Sequence, residues 1–330
     1  MENPRHRSHS FFWPILLVGV GIIWLLVNLG IIAPISVGTM LQFWPIMLIV
    51  LGLDILFSRR FVWIGSLVGI LAVVGLIAYL LLMPKTGLQT ATQAVQENFG
   101  APIGETNTVS YNFETSSEPV DIYALGSDSN QLIDANLTHQ GKIDFAVTGT
   151  TDKMVNLSET TNPADWFTWT LANTNLKWNI GLSTAVPSDI TVDGGSGSIS
   201  TDLTGVKVQT LTADLGSGSS TFTLPQSDQD LAVNINSGSG SVNVALPENT
   251  NMTLKLESAS GSVDINLPSG AALQVVEMDS GSGSLSLPEN LTRISGDQNA
   301  GTWQTSGYDL ATKRIVIKIL DRGSGSISIN

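Results

Sequence analysis

Cysteine is absent from this 330-residue chain. That removes disulfides, thiolate nucleophiles, thiolate metal sites and thiol redox chemistry together. Histidine is nearly absent, with three in all. His6 and His9 lie in the N-terminal tail. His139 stands alone after it, in a polar Leu-Thr-His-Gln-Gly stretch that reads as a surface turn. A histidine-rich metal site is therefore excluded outside the tail, and a Ser-His-Asp site would have to use His139 with no Gly-x-Ser-x-Gly elbow to serve it. Basic residues are also scarce, with 15 Lys and Arg against 28 Asp and Glu and a formal net charge of −13. Arg5, Arg7, Arg59, Arg60 and Lys85 all fall in the first 100 residues, so the acid excess lies beyond them. Phosphate backbones are bound by clustered Lys and Arg, so nucleic acid is excluded as a partner.

Apolar residues, by contrast, are concentrated at the start. Three runs, 11–32, 41–57 and 61–83, fit membrane spans of roughly 17–25 residues. The only acidic or basic residue inside any of them is Asp54. Arg5 and Arg7 precede the first run, Arg59 and Arg60 separate the second from the third, and the loop 33–40 carries no charge. The positive-inside rule then puts the N-terminus in the cytoplasm and everything after about residue 85 outside. No small-residue cleavage site comes after the first run, which argues against a removed signal peptide. Asp54, close before Arg59, reads as an interfacial carboxylate that reaches the headgroups.

The first two runs look like copies. Trp13-Pro14-Ile15-Leu16-Leu17 matches Trp44-Pro45-Ile46-Met47-Leu48, with Gly21 and Gly52 in step. Each proline suits the first turn of a helix, where the missing N–H costs nothing, and each tryptophan suits a membrane interface. Trp13, Pro14, Trp44, Pro45, Arg59 and Arg60 are thus expected membrane anchors. Together with the Asn28-Leu29-Gly30 exit, these residues resemble the LiaI-LiaF-like transmembrane region of bacterial envelope-stress proteins.

After the third run the chain becomes polar, and residues 84–106 read as a linker: a tether or a short helix. Alternation of apolar and polar residues then predicts strands at 109–113, 120–125, 132–137, 143–147 and 176–180. Residues 107–192 carry no regular repeat and are expected to cap the regular stack beyond them, with Trp166, Trp169 and Trp178 as bulk for the cover; an aromatic sugar platform is the rival use.

From residue 193 a beat sets in. Gly-Ser-Gly-Ser or a close variant returns before each short strand, its third position at Gly197, Gly218, Gly240, Gly261, Gly283 and Gly325, at spacings of 21, 22, 21, 22 and 42. A fixed period near 20 residues predicts a solenoid. After each beat comes an alternating strand ended by Leu-Pro, at Leu224-Pro225, Leu246-Pro247, Leu267-Pro268 and Leu287-Pro288. Proline withdraws a ladder donor and makes a corner. The glycines are expected to make the opposite corner by accepting positive φ. No Gly-Lys-Ser/Thr comes after them, and the calcium-binding nonapeptide pattern is not met, so they are structural turns rather than ligand loops. The fold class expected is membrane α plus all-β: a cytoplasmic tail (1–10), three helices (11–83), the linker, the irregular cap, and a regular β-solenoid (193–330) with coils of 21–22 residues.

The beat, the Leu-Pro corners and the irregular shoulder resemble the bacterial toastrack family of adhesin-like β-solenoids, across about residues 107–330. Both resemblances stand in the order that family shows. They imply a multi-pass plasma-membrane protein of the envelope with its solenoid outside. Three readings are open: a non-catalytic regulatory or sensory protein in envelope stress, with a membrane histidine kinase or another envelope protein as partner; an adhesin-like or structural surface-binding module; and a polysaccharide-active enzyme. No catalytic, cofactor or metal residue can be named. Two breaks in the beat stand out. No repeat occurs near Trp303, where a coil must be remodelled, and nothing comes after Ile327 and Ile329 to cover the last strand, so these two are the candidate edge for self-association or partner pairing.

Overall fold

The computed structural model describes residues 94–160, 175–279, 281–296 and 300–330, together with Val18, Gly21, Ile22, Leu25 and Gly75. These five isolated positions are helical, and Val18, Ile22 and Leu25 are exposed. Among the described residues no helix is long and apolar enough to cross a membrane. Apart from those five positions the three expected spans, with all six expected anchors, lie outside the described residues, as do Trp166 and Trp169.

Ala94–Thr161 and Asn175–Asn330 form one compact unit. It opens with β1 (Val95–Pro102), β2 (Thr108–Thr115), β3 (Val120–Ala124), β4 (Gln131–His139), β5 (Lys142–Thr148), β6 (Asp152–Thr160) and β7 (Lys177–Leu182). Four regular coils come next, each of two strands: β8 (Ser188–Gly194) with β9 (Ile199–Asp202), β10 (Val208–Leu215) with β11 (Ser220–Thr223), β12 (Leu231–Ser237) with β13 (Ser241–Ala245), and β14 (Met252–Ser258) with β15 (Ser262–Asn266). The remainder is β16 (Leu273–Glu277), β17 (Ser284–Ser286), β18 (Leu291–Gly296), β19 (Gly301–Thr305), β20 (Ile315–Asp321) and β21 (Ser326–Ile329).

Each coil lays one strand in each of two mainly parallel sheets. The first sheet runs β1-β4-β7-β3-β9-β11-β13-β15-β21-β17, and the second runs β18-β19-β16-β20-β14-β12-β10-β8-β2-β6-β5. Alternation turns one set of side chains inward, and in-register stacking aligns them in columns. In the second sheet the column Tyr111, Ile190, Leu211, Val233, Leu254, Ile317, Val275 runs from β2 to β16. Every member is at most 1% exposed. At about 1.5–3 kcal/mol for each large aliphatic side chain removed from water, such columns are what hold the stack.

Spatial order and chain order part company at both ends. The coil β2–β3 lies between β6–β7 and β8–β9, so the chain leaves it, builds β4 to β7 on its far side, and returns to its near side. At the other end the coil β20–β21 lies between β14–β15 and β16–β17. This accounts for the missing beat near Trp303: β18 and β19 form an antiparallel hairpin beyond β16, and the chain then turns back into the stack.

Two expectations are corrected by the strand pairing. Ile327 and Ile329 are not at an edge, because β21 is hydrogen-bonded on both sides and both side chains are 1% exposed. The free edge at this end of the first sheet belongs to the three-residue β17. The supposed linker also contains β1, an edge strand antiparallel to β4, with Phe99 packed on Phe145 at 5.4 Å between ring centroids. Its exposed side hid the alternation.

Candidate functional site

The Gly-Ser corners of successive coils stack in one column along the rack. Positive φ is not their reason: none of the six third-place glycines is left-handed, although first-place Gly281 and Gly323 are, at φ 49° and 59°. Space decides instead. A Cβ on Gly218 would stand within 3.0 Å of the Gly197 carbonyl oxygen; Gly240 meets Gly218 in the same way, Gly261 meets Gly240, Gly325 meets Gly261, and Gly283 meets Gly325. The column keeps the spatial order, with Gly325 between Gly261 and Gly283. Serine hydroxyls continue the ladder, Ser241 Oγ donating to Ser219 Oγ at 3.1 Å and Ser324 Oγ to Ser260 Oγ at 3.2 Å. Serine and glycine alone line the open groove of about 650 Å³ along this corner.

At the other end of the column the corner of β2–β3 is Ser116-Ser117-Glu118, whose backbone carries Gly197. Glu118 is 5% exposed, and its Oε2 accepts from the amides of Ser116 and Ser117 at 3.3 and 3.1 Å. Glu159, at the end of β6, comes against it. Burial, then the Glu118 charge, pushes the Glu159 carboxyl above the ordinary glutamate range. Its Oε1 accepts from the Gly141 amide. His139 is 4% exposed, not the surface residue expected, because β4 is covered by β1 on one side and β7 on the other. Its Nδ1 lies 2.8 Å from the Gly141 carbonyl, and its Nε2 lies 3.6 Å from Glu97. Among the described residues His139 Nε2 has no hydrogen-bond partner.

Two charged features complete the surface and the interior. Glu114, Asp193, Asp214, Asn236, Glu257 and Asp321 stand side by side on consecutive strands of the second sheet, all exposed. Asn236 interrupts the carboxylates and donates from Nδ2 to Asp214 at 3.2 Å. Glu277 is different: it faces inward, in the column that holds Leu256 and Ile319. It is paired there with Arg322 at 3.2 Å, the two side chains 6% and 12% exposed. Burial raises the Glu277 pKa, and Arg322 opposes that. The parity of Leu273 and Val275 already marks position 277 as inward, a signal that a reading centred on the glycines passed over. Among the described residues no group of three or more His, Asp or Glu side chains is arranged to hold a metal.

Residues 12–93 match the LiaF transmembrane domain, and residues 121–245, from β3 to β13, match the N-terminal domain of toast_rack. The chain joins a LiaF-type membrane domain to a toast rack. Three solved structures are similar to the rack. A candidate cell adhesion protein from Clostridium sporogenes is 17% identical, with 72% of this chain and 99% of that one covered, at a TM-score of 0.47. A candidate adhesin from Bacteroides fragilis is 12% identical, with 74% and 100% covered, at 0.36. A candidate lipid binding protein from Parabacteroides distasonis is 13% identical, with 70% and 96% covered, at 0.29. No curated protein matches the chain. The LiaF-type domain makes this a membrane protein, and the toast rack is the all-β, stacked body it carries.

Proposed function

We propose that this protein is a non-catalytic regulatory or sensory component of the bacterial envelope stress response, with three membrane spans, a cytoplasmic N-terminus and the rack outside. The observation that carries the reading is the LiaF transmembrane domain at 12–93 in the same chain as a toast rack. The orientation rests on Arg5, Arg7, Arg59 and Arg60 set against the uncharged loop 33–40. A rigid rack whose long groove is lined by serine and glycine suits holding or presenting a surface better than turning over a substrate. The expected partner is a membrane histidine kinase that touches the three-span region.

The test is a deletion strain carrying a promoter reporter for envelope stress, complemented with the full chain or with residues 1–93 alone. Deletion is expected to change the reporter response, and the membrane region is expected to co-purify the kinase. An unaltered response in the deletion strain would sink the proposal. Lost adhesion to cells or wall polymer with a normal stress response would put an adhesin-like role in its place.

A further inference from the structure

The slot between β14–β15 and β16–β17 is filled by a coil that is synthesised after both of its walls. That coil, residues 315–329, seats itself by parallel pairing on each side, β20 with β14 and β16, and β21 with β15 and β17. Ile315, Ile317, Ile319, Ile327 and Ile329 are all at most 4% exposed there. The strands of the two walls carry the same repeat as the filler. By pattern alone β16–β17 could close directly on β14–β15.

Glu277 forbids that closure. Both Leu256 and Glu277 are register partners of Ile319, so removing the coil and closing the stack would lay the Glu277 carboxylate on Leu256. A buried carboxylate without a partner is strongly unfavourable. Arg322 supplies the ion-pair partner at 3.2 Å and arrives only with the coil 315–329, whereas Arg293 of β18, which stays beside β16, adds a lesser attraction. The slot therefore waits for an Arg322-bearing coil of this repeat.

The segment that delivers the coil runs outside the stack. Gly307 is left-handed at φ 80°, Tyr308–Leu310 is a single 3-10 turn, and Leu310 is 90% exposed. Its ties to the stack gather at its ends: Tyr308 is buried, Lys313 donates to the Asp228 carbonyl at 3.2 Å, the Arg314 amide donates to Asn251 Oδ1 at 2.9 Å and the Met252 amide donates to the Arg314 carbonyl at 3.0 Å, while the Arg314 guanidinium bonds within the segment, to the carbonyls of Ala311 and Asp309 at 3.0 and 2.8 Å. Extended, residues 306–314 reach up to about 30 Å. A second copy held in the same membrane is present at high local concentration, and its coil makes the same contacts as the resident one.

We propose that the slot is an exchange site that accepts the coil 315–329 of a second copy, so that the protein forms coil-swapped dimers in the membrane. Each swapped slot keeps both ladders and its Glu277–Arg322 pair, the arginine coming from the other copy.

Because the chain has no cysteine, engineered pairs report the exchange directly. Asp264 and Ser328 are register partners on β15 and β21. Two differently tagged full-length copies, one Asp264→Cys and one Ser328→Cys, are co-expressed and oxidised in their membranes. A disulfide-linked band carrying both tags is expected, while a mixture of Ser200→Cys and Thr221→Cys copies, partners on the sequential strands β9 and β11, gives none. The double variant on one chain should form its disulfide within the chain as well as between chains. An intrachain disulfide in the double variant with no mixed-tag band in the co-expression overturns the exchange. Equal mixed-tag bands from both pairs, or failure of the double variant to form any disulfide, overturns it too.

Discussion

Replacing Gly240 by alanine should unseat one layer of the rack. The Cβ would stand within 3.0 Å of the Gly218 carbonyl oxygen, and the atoms it meets are backbone. Relief requires the corner of β12–β13 to lift from that of β10–β11. The Ser239 and Gly240 amides, which donate to the Gly216 carbonyl at 3.1 and 3.4 Å, would then be stretched. The next corner resists the lift, because the Ser260 and Gly261 amides both donate to the Gly238 carbonyl at 3.2 Å. Overpacking of this kind costs about 1–3 kcal/mol. Two weakened hydrogen bonds add about 1 kcal/mol each at most. Against this, alanine has less backbone freedom to lose on folding, which returns about 0.4–1 kcal/mol. The net is a loss of about 2 kcal/mol, roughly a 30-fold fall in the folding equilibrium. Gly126 is the control, since a Cβ there meets nothing within 4 Å and its φ is not left-handed. Gly126→Ala should be neutral, or stabilising by up to about 1 kcal/mol. Hydrogen exchange of the full chain in detergent, titrated with urea and read on peptides from β10 to β15, measures both. If Gly240→Ala matches Gly126→Ala in its urea midpoint, the close-stacking argument is wrong.

Thr201 sits in an inward column between Ile122 and Phe222, 2% exposed, its hydroxyl without a hydrogen-bond partner among the described residues. Thr201→Val keeps the shape and removes the stranded hydroxyl, so it should stabilise the rack by about 1–2 kcal/mol; a lower melting temperature than the parent's would contradict this. Glu159, raised above the ordinary glutamate value of 4.5, binds its proton more tightly in the folded state than in the unfolded one. Its contribution is therefore full below that value and is lost as pH rises through the raised folded pKa. Glu159→Gln should accordingly melt higher than the parent near pH 7, and the gap should close as the pH falls towards 4. A gap that stays constant with pH would show that the Glu159 charge is not responsible.

Much of this architecture could be read from residues alone, and the misreadings have physical causes. The two-residue alternation placed β2, β3, β4, β5 and β7 because one face of each is buried against the stack. It missed β1, where pairing is confined to one edge and the side chains are largely exposed. Period located every regular coil, yet it could not order them: β17 and β21 share the same Gly-Ser pattern and differ in neighbours only. One residue that tells these layers apart is Glu277, a charge at an inward position, and its meaning depends on Arg322 many residues away. Positive φ, the reason the sequence suggests for the third-place glycines, gives way to close stacking, because the closeness of the preceding layer is invisible until the layers are stacked. His139 looked like a turn residue for the same reason; only the pairing of β4 with both β1 and β7 buries it. The residues expected as membrane anchors fall within the part of the chain that matches the LiaF domain, and that match is legible from Trp-Pro, glycine and arginine placement.

The interlaced ends bear on how such a protein can change size over evolutionary time. The coils β10–β11 and β12–β13 pair only with the coils before and after them in the chain, so a tandem duplication of one period there adds one rung and disturbs nothing else. At either end a duplicated period would have to be threaded between strands that already hold an out-of-order coil. Family members with longer or shorter racks should therefore differ by whole periods within the stretch equivalent to 188–266, while the two interlaced ends keep their length.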